Sequence, residues 1–213
     1  MRTIIRRGKI VIPDGVIDGS IVIDNAKISH IIKDENFDES QNDNQDTVII
    51  DADGCYIMPG LVDFHGDMLE RAIQPRNKVF FPLNLALNSI QAQFLATGIT
   101  TIFHPVAFAG EPGLRSNEMG NNIVREIAQF RNHENSMLRH FIHVRYELFN
   151  QTGLDAVSQI FEEGLVDLFS VMDHSPRYSK FKSYPEYKNY VEKNSTFTDE
   201  ELEDYAQEQW KMP

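Results

Sequence analysis

The first 58 residues alternate between short β-branched runs and turn residues. The runs that predict strands cover residues 4–5, 9–12, 20–24, 27–32 and 47–51. Turn signals lie between them, among them residues 13–15 and 18–19, and no helical period occurs. The acidic, amide-rich stretch 33–46 is typical of a solvated loop. The segment 1–58 is therefore predicted to be built from strands alone.

After Gly60 the pattern changes, and strand-like runs alternate with helical periods. The strand-like runs cover residues 61–64, 99–103, 139–148 and 166–172, and the helical periods cover 83–96, 118–130, 153–163 and 183–210, with a break near 194–198. Such alternation predicts parallel βαβ units. A complete (β/α)8 barrel needs about 250 residues. Four strands therefore predict either a small open α/β sheet or the front portion of a barrel.

Composition and charge narrow the class of partner. The 213 residues include 32 acidic and 20 basic side chains, a formal net charge of −12. A chain this acidic is a poor non-specific binder of nucleic acid. No apolar run is long enough for a membrane span, and the first residues lack the apolar stretch of a secretory signal. With a single cysteine, Cys55, these features predict a cytoplasmic protein without nucleic-acid or membrane partners.

Candidate metal-ligating side chains follow the strand-like runs. His65 and Asp67 are two residues apart, so on a strand they point to the same face. An imidazole and a carboxylate that project together can share one divalent cation. Glu147 ends a later strand-like run, and Asp173 and His174 follow the last one. For an isolated His-x-Asp pair, an ordinary loop after a strand is the commoner explanation, so the surrounding residues decide.

Those surrounding residues resemble the amidohydrolase superfamily. Residues 58–65 read Met-Pro-Gly-Leu-Val-Asp-Phe-His, similar to the start of the superfamily's first barrel strand, and Asp67 stands where a second histidine is usual. This variant resembles the diphosphatase branch of phosphonate catabolism, the M-protein family of the carbon–phosphorus lyase pathway. Residues 98–103, 143–148 and 172–176 resemble further motifs of that branch. The resemblance covers the whole chain but only about the first half of a typical member.

The resemblance implies an incomplete amidohydrolase-type (β/α) barrel over residues 59–213, of about four βα units, preceded by a β-sandwich part over residues 1–58. Members of the branch hydrolyse α-D-ribose 1-methylphosphonate 5-triphosphate to the 5-phosphate and pyrophosphate. The resemblance therefore implies a small phosphorylated ribose as substrate and a divalent metal ion: zinc, manganese or magnesium. The superfamily's later strands supply a further histidine ligand and a catalytic aspartate. We therefore expect the chain to be inactive alone, and to associate with the missing C-terminal half or with other pathway proteins.

The resemblance also assigns roles to individual residues. The implied metal ligands are His65, Asp67, Glu147 and His174, the implied catalytic residue is Asp173, and the implied phosphate contacts are Arg145, Arg177, Lys180 and Arg76. Residues 177–180 read Arg-Tyr-Ser-Lys where the branch has Gly-Gln-Arg-Gln, so the phosphate contacts there are expected to differ. For Arg145, a salt bridge to Glu147 or Asp173 is an equal alternative. His104 replaces an aspartate of the branch, and we expect it to be a core histidine with a satisfied hydrogen bond.

Two other functions stay open at this point. One is a different amidohydrolase, such as a cyclic amidase or a deaminase, although Asp67 and residues 172–176 argue against it. The other is a non-catalytic remnant that acts as an interaction module, with the acidic helical stretch 186–210 binding a partner. An ordinary solvated lid helix is the simpler explanation of that stretch.

Overall fold

The chain forms two compact units. The structure, a computed structural model, describes residues 1–36, 46–76, 79–111, 113–174, 181–194 and 197–211. The first unit is Met1–Gly60 and the second is Leu61–Pro213. No helix within the described ranges has both the length and the apolar character that crossing a membrane requires.

The first unit is a single β-sheet. Its strands are β1 (Arg2–Ile12), β2 (Gly15–Asp24), β3 (Lys27–Lys33), β4 (Thr47–Asp51) and β5 (Tyr56–Ile57). They lie in the order β3-β2-β1-β4, and β5 also pairs with β1. The β1–β2 and β2–β3 pairs are antiparallel, whereas β4 and β5 run parallel to β1. Ile4 and Ile10 of β1 and Ile21 and Val22 of β2 are buried. The strands predicted from the β-branched runs are confirmed.

Gly19 is not in a turn, contrary to the sequence prediction for residues 18–19. It lies inside β2, opposite Gly8 at a β-bulge of β1. A Cβ atom at Gly19 would stand 2.4 Å from the backbone oxygen of Ile32 on β3. The glycine therefore permits close approach of two strands rather than a reversal of the chain.

The second unit contains a parallel sheet with helical connections. Its strands are β6 (Leu61–Asp63), β7 (Ile99–Phe108), β8 (Arg139–Glu147) and β9 (Leu168–Met172), and its helices are α1 (Met68–Ile73), α2 (Leu83–Ala96), α3 (Asn117–Phe130), α4 (Leu154–Glu162), α5 (Tyr184–Asn194) and α6 (Asp199–Lys211). The sheet order is β6-β7-β8-β9, and all three pairings are parallel. The predicted βαβ units are confirmed, and α1 is an additional short helix.

One face of this parallel sheet packs against helices to form the core of the second unit. Ile102 and Phe108 on β7 and Ile142 and Val144 on β8 belong to one buried cluster with side chains of α2, α3 and α4. Successive strand residues point to opposite faces, so the odd-numbered residues of β8 point away from this cluster. Arg145 and Glu147 are among them, and both side chains are only partly buried. The sheet therefore has an apolar helix-covered face and a face that carries charged groups.

Helices α5 and α6 form a hairpin with an aromatic cluster of its own. Its buried members are Tyr187, Val191, Leu202 and Ala206, and five aromatic side chains pack around them: Phe181, Tyr184, Phe197, Tyr205 and Trp210. Thr198 directly precedes α6 and forms a capping box with Glu201. Glu201 Oε2 accepts the Thr198 amide at 2.9 Å, and the Glu201 amide donates to Thr198 Oγ1 at 3.4 Å.

Candidate active site

The candidate residues gather where the parallel strands end. Because β6, β7, β8 and β9 run in the same direction, their carboxyl ends meet at one edge of the sheet, where α/β folds build their sites. Glu147 is the last residue of β8, and Asp173 and His174 follow β9 directly. All five predicted metal or catalytic residues thus lie at a strand end or within four residues of one: His65, Asp67, Glu147, Asp173 and His174.

His65 and Asp67 lie in a loop rather than on a strand. β6 ends at Asp63, and Asp67 is the residue before α1. The same-face geometry expected for a strand is therefore wrong for these two side chains, because the strand is only three residues long. Their loop begins with a tight contact, in which the His65 amide donates to Asp63 Oδ1 at 3.0 Å.

Arg145 forms an ion pair with Asp67. Its Nη1 atom lies 3.9 Å from Asp67 Oδ1, and its side chain is 16% exposed, against 50% for Asp67. The salt bridge to Glu147 or Asp173 considered from the sequence is thus replaced by one to the β6–α1 loop. The guanidinium keeps further donors for an anion, because it carries five N–H groups.

Glu147 and His174 form a second, tighter pair. Glu147 Oε1 accepts the His174 amide at 2.7 Å, and Oε2 lies 2.9 Å from His174 Nδ1. A carboxylate can only accept, so Nδ1 carries the proton of this hydrogen bond. In the neutral ring, Nε2 then keeps its lone pair. This is the arrangement in which metal-ligating histidines are commonly oriented by a carboxylate.

His143 is a buried polar residue to which the sequence assigned no role. Its Nδ1 lies 3.3 Å from the Phe64 carbonyl oxygen and its Nε2 lies 2.8 Å from Ser170 Oγ. Burial lowers the pKa of the imidazole below its usual value. Two sequence signals pointed to it: the segment 143–148 resembles a motif of the branch, and the spacing of His143 from Arg145 and Glu147 puts all three on one face of β8.

A second feature missed from the sequence is the ion pair between Arg115 and Glu70. Arg115 Nη2 lies 2.8 Å from Glu70 Oε2, and it joins the segment after β7 to α1. Nothing in the local sequence pattern connects two residues that are 45 positions apart. The pair fixes α1 beside the loop that carries Asp67.

The remaining predicted residues are more scattered. Arg76 is exposed and makes an isolated backbone bridge to Val79. Asp173 is exposed in the segment after β9. Arg177 and Lys180 lie outside the described residues.

His104 is a core histidine, as the sequence analysis expected. It lies within β7 and not after it, because β7 continues to Phe108. Its Nε2 lies 2.8 Å from His140 Nδ1, and both rings are buried on the helix-covered side of the sheet. Burial lowers the pKa of His104 to about 3 and that of His140 to about 4.

The side chains in this region are of types that bind a divalent ion, but the structure does not bring those it describes together around a single ion position. His65, Asp67, Glu147 and His174 offer nitrogen and carboxylate donors of the kind that zinc, manganese and magnesium accept. In the part of the chain that the structure describes, no three histidine, cysteine or acidic side chains are grouped closely enough to hold a metal. The predicted ligands belong instead to the loop before α1 and to the Glu147–His174 pair.

A comparison of the whole chain with known proteins finds a clear relative. The chain is 29% identical to α-D-ribose 1-methylphosphonate 5-triphosphate diphosphatase of Escherichia coli (strain K12) over 218 residues. The predicted resemblance is confirmed. The match covers 99% of this chain and 55% of the relative, so the chain spans about half the length of that protein. No protein-family model matches the chain.

Solved structures agree on the fold. A D-hydantoinase aligns with a TM-score of 0.54 at 20% identity, over 92% of this chain and 39% of that one. Dihydropyrimidinase from Brevibacillus agri NCHU1002 aligns with a TM-score of 0.51 at 19% identity, over the same shares of both chains. The likeness to both structures is one of fold alone. It confirms the predicted fold class as an amidohydrolase-type α/β fold with a parallel barrel sheet; the predicted N-terminal β-sandwich corresponds to the separate sheet of β1 to β5.

Proposed function

We propose that this chain supplies part of the active site of a metal-dependent hydrolase that cleaves α-D-ribose 1-methylphosphonate 5-triphosphate to the 5-phosphate and pyrophosphate. The observation that carries the proposal is the 29% identity to a diphosphatase of that substrate along 99% of the chain. The grouping of the motif residues at the carboxyl edge of the parallel sheet supports it.

His65, Asp67 and His174 are the residues that would hold the divalent ion. Glu147 would orient His174, because both of its oxygens accept from that residue. When bound, such an ion supplies an activated water and neutralises developing charge on phosphate oxygens. Asp173 follows β9 beside this group, where a carboxylate could accept a proton from the attacking water.

Arg145 is the best-supported anion contact among the described residues. Its guanidinium fork suits phosphate oxygens, and its partly buried position makes its charge more effective than that of a fully exposed side chain. The net charge of −12 does not exclude an anionic substrate, since the local field at the site governs binding. Arg76, Arg177 and Lys180 are further candidate phosphate contacts.

The test is pyrophosphate release from the ribose triphosphate, with zinc, manganese or magnesium supplied in turn. We expect no release from the 213-residue chain alone. Release is expected when the chain is fused to the part of the Escherichia coli relative that it does not cover. In that fusion Glu147→Gln should lower kcat/KM by about 10- to 100-fold, because an orienting partner of a metal ligand is lost.

Two results would redirect the assignment. Hydrolysis of a hydantoin but not of the triphosphate by the fusion would favour the cyclic amidase. Inactivity of the fusion on both substrates, with no metal bound, would favour the non-catalytic interaction module. Robust pyrophosphate release by the chain alone would contradict the expectation that it needs a C-terminal half.

A further inference from the structure

His143 links its own strand to two other parts of the parallel sheet. It lies on β8, is 5% exposed, and contacts the segment after β6 on one side and β9 on the other. Its Nδ1 faces the Phe64 carbonyl oxygen and its Nε2 faces Ser170 Oγ. A polar side chain this deeply buried is expected to have both nitrogens satisfied, and here each has one partner.

The two partners fix the tautomer of the ring. A backbone carbonyl can only accept, so His143 Nδ1 carries a proton and donates it to Phe64. In the neutral ring, Nε2 is then an acceptor, and the Ser170 hydroxyl donates to it. One tautomer therefore satisfies both contacts, and the opposite tautomer would place two acceptors against each other at Phe64.

The Phe64 carbonyl that accepts from His143 belongs to the loop that carries His65 and Asp67, two of the candidate metal ligands. Phe64 directly precedes His65, whose amide donates to Asp63 Oδ1. Asp67, three residues after Phe64, pairs with Arg145. Arg145 lies two positions beyond His143 on the same face of β8. β8 thus contacts the segment 64–67 at both of its ends.

We propose that His143 is a positioning residue that fixes the backbone of the segment 64–67 against β8 through its Nδ1–H group, while Ser170 orients its ring. The consequence is that His65 and Asp67 are presented in one arrangement although neither lies on a strand. The role of that segment in metal binding rests on the proposed function, whereas the two hydrogen bonds of His143 do not.

The first test is the tautomer itself, measured on the 213-residue chain by nitrogen-15 NMR of the imidazole rings near neutral pH. The His143 signals are identified as those that disappear in His143→Asn. We expect the Nδ1-protonated pattern, with Nε2 unprotonated. An Nε2-protonated pattern would overturn the proposal.

The second test uses two replacements that each keep one contact. Asparagine places its Nδ2 where the ring has Nδ1, so His143→Asn keeps the donor to Phe64. Glutamine places its terminal amide where the ring has Nε2, so His143→Gln keeps only the Ser170 contact. The measurement is hydrogen exchange at the His65 amide, with His143→Leu as the variant that loses both contacts.

We expect His143→Gln and His143→Leu to raise exchange at the His65 amide by about tenfold. His143→Asn should restore a rate close to that of the original chain. The matched control is His133→Leu, because His133 is an exposed histidine beyond α3, and it should leave this amide unchanged. Rescue by glutamine and not by asparagine would overturn the assignment to the Phe64 contact.

A zinc titration separates this inference from the proposed function. If the exchange pattern holds and zinc binds, His143→Leu should weaken zinc binding while His143→Asn should not. If the exchange pattern holds but zinc does not bind the original chain, His143 still positions the loop and the proposed function fails. If zinc binds and His143→Leu loosens the loop without weakening zinc binding, His143 still positions the loop, and the role of the segment 64–67 in metal binding is contradicted.

Discussion

The two buried imidazoles of His104 and His140 make the second unit sensitive to acid. They lie within hydrogen-bond distance of each other, and the edge of the Phe130 ring packs against His140. Within the described residues, His140 Nε2 has no hydrogen-bond partner. A proton added to this pair would place a charge in an apolar core, which explains why burial lowers the pKa of both groups.

We expect the free energy of unfolding to fall as the pH drops below about 6.5. The folded pKa values, about 3 for His104 and about 4 for His140, lie below the ordinary value of 6.5. Below pH 6.5 the unfolded chain therefore binds more protons at these two groups than the folded chain does. The contribution of the pair is complete above pH 6.5 and is lost as the pH falls towards the folded pKa values of about 4 for His140 and about 3 for His104. Urea unfolding at a series of pH values measures it.

The double variant His104→Leu/His140→Leu should have a shallower dependence on pH over that range. His133→Leu, which removes an exposed histidine, should keep the original slope. An unchanged slope in the double variant would show that other groups cause the loss of stability in acid.

Asn150 joins the ends of two strands to a helix, and we expect its removal to destabilise the second unit. Its Nδ2 donates to the Phe108 carbonyl at 3.0 Å and to Asn117 Oδ1 at 2.6 Å, and its Oδ1 accepts from Thr152 Oγ1. Asn150→Ala leaves the buried Phe108 carbonyl without this donor, at a cost of about 1–3 kcal/mol. The change in the urea midpoint measures the loss.

The control for Asn150 is Asn132→Ala. Asn132 is exposed and donates to the Ala128 carbonyl at the end of α3, so its removal should change stability by less than about 0.5 kcal/mol. Equal effects of the two substitutions would contradict the connecting role of Asn150.

Helix α6 begins with a capping box between Thr198 and Glu201, and its contribution to the stability of the helix can be tested. Thr198→Ala removes a hydroxyl that caps the first turn, so amides there should exchange several-fold faster, while β7 amides stay unchanged. The Thr198 amide and hydroxyl lower the pKa of Glu201, so its contribution is present above the ordinary carboxyl pKa and is lost as the pH falls. Glu200→Ala, in the same turn, is the control; an equal effect there would contradict a cap specific to Thr198 and Glu201.

Most elements could be predicted from the sequence, because their signals are local. The periodicity of residues 83–96 and 118–130 predicted α2 and α3 to within one residue, and Gly98 has the positive φ of 82° that a glycine after a helix commonly adopts. Two predictions are wrong. Gly19 is predicted to lie in a turn but lies inside β2, where it packs closely against another strand. His65 and Asp67 are predicted to lie on a strand, but β6 ends at Asp63. Both depend on neighbouring strands, which a local pattern does not contain.

The candidate site shows the same limit. The sequence selected Glu147 and His174 separately, but their pairing depends on the register of β8 and β9, in which Glu147 is aligned with Met172. The contact of His143 with Phe64 spans 79 positions and crosses β7. Residue type therefore indicated the candidate side chains, and strand register determined which of them meet.

On the scale of the whole molecule, two opposing properties govern association between copies. β6 and β9 are the outer strands of the parallel sheet, and large apolar side chains near them are exposed: Val62 at 54%, Phe64 at 60%, Phe169 at 41% and Val171 at 56%. Exposed edges of this kind favour pairing with another chain. At neutral pH a net charge of −12 opposes that pairing.

We therefore expect association to rise as the pH approaches the isoelectric point of about 5.0. Protonation of carboxylates and exposed histidines removes the repulsion, whereas the exposed apolar edges stay unchanged. Light scattering between pH 7.5 and pH 5 measures the effect, and added salt at pH 7.5 should raise scattering in part by screening the same charge. Val171→Lys on β9 should reduce the scattering. Val16→Lys, at a similarly exposed valine on β2 of the other sheet, should reduce it less, because it leaves the apolar side chains near β9 unchanged. Equal reduction by both variants would mean that added charge alone, and not the β9 edge, controls association.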